Sequence, residues 1–233
     1  MIPELAFPDP RQAADHGLVA LGGDYRPERL LAAYACGIFP WPCEDLPFAW
    51  FSPDPRLILR PQDILLSRSL RKRIRRGDLR VTFDQAFSDV VYGCATARRD
   101  DEGTWIIEEL ADGMSGLHRM GFAHSVEVWQ EDLLVGGLYG VSLGNAFYGE
   151  SMFHRVSDAS KVALVGLAAR LTDWGFRMID CQVPTDHLKS LGAIEISRDA
   201  FLDELAEAVK QPTRRGSWSD HETVNLDSGS PSI

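Results

Sequence analysis

The 233 residues predict an α+β fold with a mixed sheet, and three observations carry that expectation. The hydrophobic period is two from His124 to Phe153, as in a meander of strands. A well-marked helix and a buried strand follow, and short helix and strand segments then alternate as far as Lys210. The stretch up to Pro55 keeps neither period and is rich in Pro, Gly and aromatics, so it reads as a small irregular N-terminal domain. The expected division is 1–55, 56–210 and a polar tail, 211–233, with no apolar periodicity, for which disorder is expected.

Along the chain, Pro27 suits the first turn of a helix whose apolar positions include Leu30, Leu31, Ala33 and Tyr34, and Gly37 stops it. Phe48 to Pro55 reads as a linker. Ser67 can cap a helix that Gly77 ends, with Leu70 and Ile74 as a narrow apolar stripe. Asp84 reads as the cap of a second helix, running to about Cys94. Ile106 to Met120 reads as a third, ended by Gly121. Strands are expected at Ser125–Trp129, Leu133–Val141 and Ala146–Phe153, with turns near Gln130–Asp132 and Gly144–Asn145. Their glycines (Gly136, Gly137, Gly140, Gly149) mark bulges or close backbone approach. Ser157 or Asp158 caps the next helix, with Val162, Leu164, Val165, Leu167, Ala168 and Leu171 on its apolar face and Gly175 at its end. Met178–Val183 is then a buried strand, Thr185–Leu191 a short helix, Ala193–Ile196 a strand and Ala200–Lys210 a last helix.

Composition bounds the function. With 45% hydrophobic and 25% charged residues the balance is that of an ordinary globular protein. No run of eighteen apolar residues exists, so no membrane partner is expected. Met1-Ile2-Pro3-Glu4 lacks the marks of a secretory signal. Cys36, Cys43, Cys94 and Cys181 form no C-x-x-C pair, which points to reduced thiols and a cytoplasmic location. The net charge of −10 disfavours a nucleic-acid partner, but Ser67 to Arg80 alone carries +6, leaving −16 on the remainder. Seven cations so close together repel within a helix, and a polyanion would offset that repulsion. Phosphate binding is therefore the better reading than a merely solvated face.

Three polar side chains stand in apolar strand sequence: Glu150, Asp180 and Gln182. A buried carboxylate is costly unless it is paired or working, so these are candidate catalytic groups. Alternation puts Asp180 and Gln182 on one face and Cys181 on the other, where an inert thiol is the commoner role. A nucleophilic Cys181 would need His124, His154 or His187. Trp41 and Trp105 sit beside Gly or Pro, where packing is usual and nucleobase stacking is the alternative. The glycine-rich stretches are not phosphate loops, and no metal-ligand spacing occurs, so no metal or other cofactor is expected.

The ordered stretches FPDP (Phe7 to Pro10), GLVALGGD (Gly17 to Asp24), RLLAAYACGIFPW (Arg29 to Trp41), FSPDPR (Phe51 to Arg56), SRSLRK (Ser67 to Lys72), GTWI (Gly103 to Ile106), LVGGLYG (Leu134 to Gly140), GESMF (Gly149 to Phe153) and IDCQ (Ile179 to Gln182) carry a likeness. The chain resembles the bacterial leucyl/phenylalanyl-tRNA–protein transferases. That resemblance implies a C-terminal domain like the N-acetyltransferases, but the Q/R-x-x-G-x-G/A loop that holds coenzyme A is missing. An acyl-thioester-dependent N-acetyltransferase is the alternative. The family implies transfer of Leu or Phe, with Met in question, from aminoacyl-tRNA to an N-terminal Arg or Lys of acceptor proteins, marking them for degradation. The ester is already activated, so no cofactor is implied. The resemblance assigns Asp180, Gln182 and Glu150 to the acceptor amine, and Trp41 and Trp105 to the terminal adenosine. It assigns Leu138, Phe147, Met152, Leu164, Leu167, Leu171 and Ile179 to the side-chain pocket. Arg68, Arg71, Lys72, Arg75 and Arg76 correspond to its tRNA-binding cluster. A monomer is expected. His154, and aliphatic Leu167 and Leu171 where aromatics can occur, depart from the family pattern.

Overall fold

The computed structural model describes residues 6–14, 16–42, 48–97 and 106–219. The chain forms β1 (Leu18–Leu21), α1 (Pro27–Ala35), β2 (Phe39–Pro40), β3 (Ala49–Phe51) and β4 (Arg56–Leu59). Next come α2 (Arg68–Arg75), β5 (Arg80–Phe83), α3 (Phe87–Thr96), α4 (Glu108–Arg119), β6 (Ala123–Gln130), β7 (Leu133–Leu143) and β8 (Ala146–His154). It ends with α5 (Ala159–Asp173), β9 (Met178–Gln182), α6 (Asp186–Lys189), β10 (Ile194–Ile196) and α7 (Arg198–Ala208). The fold is α+β. A small sheet has the order β1-β3-β2, and a seven-stranded mixed sheet has the order β10-β4-β9-β8-β7-β6-β5.

The large sheet buries a core on each face. On one face, residues of α1, α3, α4 and α7, Tyr34 and Phe201 among them, pack against Tyr139 of β7 and Tyr148 of β8. On the other, α5 and α2 pack Leu70, Leu164, Leu167 and Leu171 against Leu138, Phe147 and Ile179. Successive residues of β7, Leu138 and Tyr139, therefore enter different cores, as strand alternation requires.

Three sequence expectations are corrected, and one strand, β4, answers to none of them. The stretch expected as a linker contains β3, whose Trp50 is buried and donates its indole N–H to the Gly22 carbonyl at 2.9 Å. The strands of the small sheet are two to four residues long, too short for a period to register. β4 is buried along its whole length and enters the large sheet between β9 and β10, so it shows no alternation to read. Asp84 does not cap α3. It has φ of +53°, and its carboxylate accepts from the Ser125 N–H at 2.9 Å and the Trp218 N–H at 2.7 Å and meets His124 Nδ1 at 2.9 Å.

The tail also departs from expectation. Disorder expected from Gln211 does not hold as far as Ser219: Trp218 is 2% exposed and its ring stacks on His124 at 3.7 Å between centroids. Thr213 adds a hydrogen bond from the Gly144 N–H, and Gly216 one to the Gly121 carbonyl. One large aromatic anchors a polar segment that has no periodicity of its own.

Candidate active site

The site exists because two strands part. β8 and β9 pair in parallel only from Ala146↔Met178 to Tyr148↔Asp180. Beyond that pair they separate, and a cavity of about 280 Å³ opens between Gly149–Met152 and Cys181–Val183. The loop from Phe39 to Trp41 and the residues Thr185, His187 and Leu188 close its sides.

A bulge sorts the polar from the apolar wall. In the pairing of β7 with β8, Gly140 faces Gly149 and Tyr139 faces Ser151, so Glu150 is the extra residue with no partner on β7. Such an insertion re-aims the side chains around it. A Cβ on Gly140 would lie 2.1 Å from the Tyr148 carbonyl oxygen, so the close approach at this bulge requires glycine. Met152 returns to register opposite Leu138. Leu138, Met152, Leu164, Leu167 and Ile179 form the apolar wall. Leu164 and Leu167 lie one turn apart on α5. Phe147 and Leu171 are fully buried and do not line the cavity; they belong to the core behind it.

The polar wall is a hydrogen-bonded set. The Gln182 side-chain amide donates to Glu150 Oε1 at 2.8 Å. Its backbone N–H donates to Asp180 Oδ1 at 2.9 Å. Gln182 has φ of +64°, a left-handed conformation that is strained for a non-glycine residue and clusters at functional sites. Asp180 is fully buried and accepts two hydrogen bonds from Arg56, at 2.8 and 2.6 Å. The Arg56 guanidinium in turn lies over Phe39 at 4.7 Å and Phe201 at 4.4 Å.

Glu150 has no such cation. Burial first, and then the nearby charge of Asp180, push its carboxyl up to about 8, against the opposing hydrogen bonds of Tyr34 and Gln182. The Tyr34 hydroxyl approaches Glu150 without completing a hydrogen bond of normal geometry. Burial, then the Glu150 charge, hold that hydroxyl well above its ordinary range. At neutral pH the wall thus carries a paired Arg56–Asp180 and an uncharged Glu150.

The expectations for individual residues divide. Glu150 and Gln182 meet at the cavity, whereas Asp180 does not line it and reaches it only through the Gln182 backbone. Cys181 does line it, but burial raises its thiol out of reach of ionisation, and its S–H points to the Ile179 carbonyl at 3.7 Å. Its sulfur therefore lacks the histidine contact that a nucleophile would need. Trp41 lines the cavity with 38% of its surface exposed and packs near Phe39 and Phe51. Trp105 lies outside the described residues. Arg56 and Tyr34 were missed. A charged residue opening the apolar run RLIL was the available signal for Arg56; Tyr34 reads as ordinary core on the buried stripe of α1.

The basic segment forms α2. Ser67 caps it, accepting from the Leu70 N–H, and Leu70 is its buried anchor beneath α5. Arg68, Arg71, Lys72, Arg75 and Arg76 are exposed. Arg73 turns back to pair with Asp78, which also meets Arg76 at 3.3 Å. The exposed cations thus lie on a helix whose partner, α5, supplies the apolar wall of the cavity.

Known proteins are similar to this chain in sequence. The family model for leucyl/phenylalanyl-tRNA protein transferase matches residues 58–206, and that for the N-terminal domain of the same family matches 23–54. A leucyl/phenylalanyl-tRNA–protein transferase of Anaeromyxobacter sp. (strain Fw109-5) is 56% identical over 216 residues, covering 92% of each chain. One from Stutzerimonas stutzeri (strain A1501) is 55% identical, over 90% of this chain and 94% of the relative. Among solved structures, L-PGS from Bacillus licheniformis matches 70% of this chain and 58% of its own, at 10% identity and a TM-score of 0.42. An aminoglycoside acetyltransferase from a soil metagenome matches 64% of this chain and 98–99% of its own, with TM-scores of 0.34–0.36.

Proposed function

Because the chain belongs to the leucyl/phenylalanyl-tRNA–protein transferase family, we propose that the cavity between β8 and β9 is where it passes an amino acid from tRNA to a protein N-terminus. The chain is an aminoacyltransferase; the residue roles are the proposal. The observation that carries them is one cavity with an apolar wall for a leucyl or phenylalanyl side chain and a polar wall for an amine. A flexible Met152 lets one apolar wall receive both side chains.

In the reaction the acceptor's α-amine adds to the ester carbonyl carbon, the bond to the tRNA 3′ oxygen breaks, and one proton ends on that oxygen. Only the neutral amine can add. Its ordinary pKa is about 8. A wall with no net charge does not trap the ammonium, and burial favours its loss of a proton. The Gln182 NH₂ donates one hydrogen to Glu150, and this orientation leaves its carbonyl oxygen to accept an N–H of the amine and aim the lone pair. Glu150 and Asp180 are then positioning residues, and Gln182 the group that touches substrate. Trp41, with Trp105, stacks the terminal adenine.

Exposed cations of α2 hold tRNA phosphates, which positions the acceptor end without reading base sequence. The acceptors begin with Arg or Lys, the enzyme works as a monomer in the cytoplasm, and residues 1–55 and 56–210 act as its two domains, with residues 211–219 strapped onto the second. Among the described residues no helix is long and apolar enough to cross a membrane.

The test is transfer of radiolabelled Phe or Leu from tRNA to a protein beginning with Arg, against one beginning with Ala. Label in neither would end the reading. Arg71→Glu with Lys72→Glu should weaken tRNA binding and lower the salt slope by roughly two, one per phosphate contact. Filter binding at several salt concentrations checks this, and an unchanged slope would remove α2 from the tRNA site. Met152→Ala should raise KM for Leu- and Phe-tRNA about tenfold, the worth of a truncated buried side chain, without altering affinity for uncharged tRNA. Equal losses in both would take Met152 out of the side-chain wall.

A further inference from the structure

We propose that Tyr34 is a positioning residue for the transfer, the far member of a chain Tyr34–Glu150–Gln182 in which Glu150 works as a neutral acid with its proton on the oxygen facing Tyr34. The inference rests on the reading above, that Gln182 receives the acceptor amine.

Glu150 is 6% exposed. The nearest guanidinium, Arg56, is committed to Asp180 by two hydrogen bonds. Glu150 Oε2 and the Tyr34 hydroxyl are both buried, neither completes a hydrogen bond among the described residues, and the Tyr34 hydroxyl lies close enough to the Glu150 carboxyl for each to shift the other's ionisation. Asp180 and Arg56 are the charged groups that bear on Glu150, with Tyr34 on α1 and Gln182 on β9 as its polar neighbours. A carboxyl buried without its own cation favours the protonated form. In agreement, its ionisation lies near pH 8, so it is neutral at pH 7.

A neutral carboxyl has two unlike oxygens, an acceptor and a donor. If the O–H faced Gln182, the Gln182 amide would turn its oxygen toward Glu150 and its NH₂ toward the cavity. An NH₂ cannot accept a hydrogen from the incoming amine. Tyr34 gives the O–H an acceptor on the other side. That leaves the carbonyl oxygen of Glu150 for the Gln182 NH₂, as the 2.8 Å hydrogen bond has it. Tyr34 therefore selects which amide atom meets the substrate, although it lies on the N-terminal helix and does not line the cavity.

The test is steady-state transfer from Phe-tRNA by Tyr34→Phe, Glu150→Gln and Glu150→Ala, singly and with Tyr34→Phe added to Glu150→Ala. Tyr34→Phe should lower kcat about fivefold to tenfold, the worth of one hydrogen bond, with KM for Phe-tRNA unchanged. In the Glu150→Ala background the same change should cost less than about twofold, because the chain is already broken. Glu150 is neutral below its pKa and charged above it. The wild-type rate should thus gain less from a rise in pH through about 8 than the rate of a variant that cannot ionise there, because ionisation traps the ammonium. Glu150→Gln cannot ionise, so its rate divided by the wild-type rate should be flat below pH 7 and climb above pH 8. An unchanged kcat in Tyr34→Phe, equal costs in both backgrounds, or a ratio that stays flat through pH 9 would each overturn the proposal. Gln182→Ala separates the two levels. If it transfers normally, the reading of Gln182 fails; if it is inactive while Tyr34→Phe is normal, only the present inference does.

Discussion

Asp180→Ala should cost about 3–5 kcal/mol of folding stability, the penalty for leaving one buried charge of a pair without the other. Arg56 would remain with no exposed surface and no carboxylate, between the rings of Phe39 and Phe201. Chemical denaturation with urea measures the loss. Arg56→Met alone should cost a similar amount, since it strands Asp180 instead. The double variant Arg56→Met with Asp180→Leu should recover most of the stability, because an apolar pair of similar volume avoids desolvating either charge. Transfer should not recover with it. The Gln182 N–H would still lack the Oδ1 that accepts it, and the left-handed turn at Gln182 would lose the hydrogen bond that holds it. A double variant that is both stable and fully active would show that Asp180 matters to folding alone.

That pair also marks how far the sequence can be read. Glu150, Asp180 and Gln182 stand out as polar groups in apolar strands, and the cost of burying a carboxylate points to pairing or work. The partner does not stand out, because Arg56 lies 124 residues away from Asp180. Only the sheet order, with β4 beside β9, brings them together. The helices were legible where local chemistry punctuates them: Ser67 as a cap, and Gly37, Gly121 and Gly175 as stops in left-handed conformation. β4 was not, because a strand buried on both faces has no alternation. Asp84 has the side chain of a cap but spends it on Ser125, Trp218 and His124, a choice made by tertiary contacts. Strand alternation foresaw that Cys181 and Asp180 would part, but it placed Gln182 with Asp180, whereas Gln182 lines the cavity together with Cys181. It could not foresee that a bulge at Glu150 and a positive φ at Gln182 would set the polar wall.

Gln182→Ala should lower kcat for transfer on the order of 10²-fold, the scale of losing orientation at a reacting atom. The amide is the cavity's contact to the amine in this mechanism, so the loss should appear in kcat and in KM for the acceptor protein. KM for Phe-tRNA should stay as it is, because the apolar wall and Trp41 are untouched. Stability should fall by about 1–3 kcal/mol, since the buried Glu150 Oε1 loses its donor, less than the loss of a charged partner would cost because Glu150 is neutral at pH 7. Gln182→Glu separates orientation from charge. A carboxylate there still accepts an N–H, but it restores the negative charge that the paired Asp180 and the protonated Glu150 keep out of the cavity. The ammonium would gain a partner, its proton would leave at higher pH, and the rising limb of the transfer rate should move to more alkaline pH than in wild type. If Gln182→Glu instead transfers as fast as wild type at pH 7, charge neutrality of the wall is not what frees the amine, and hydrogen-bond acceptance alone suffices.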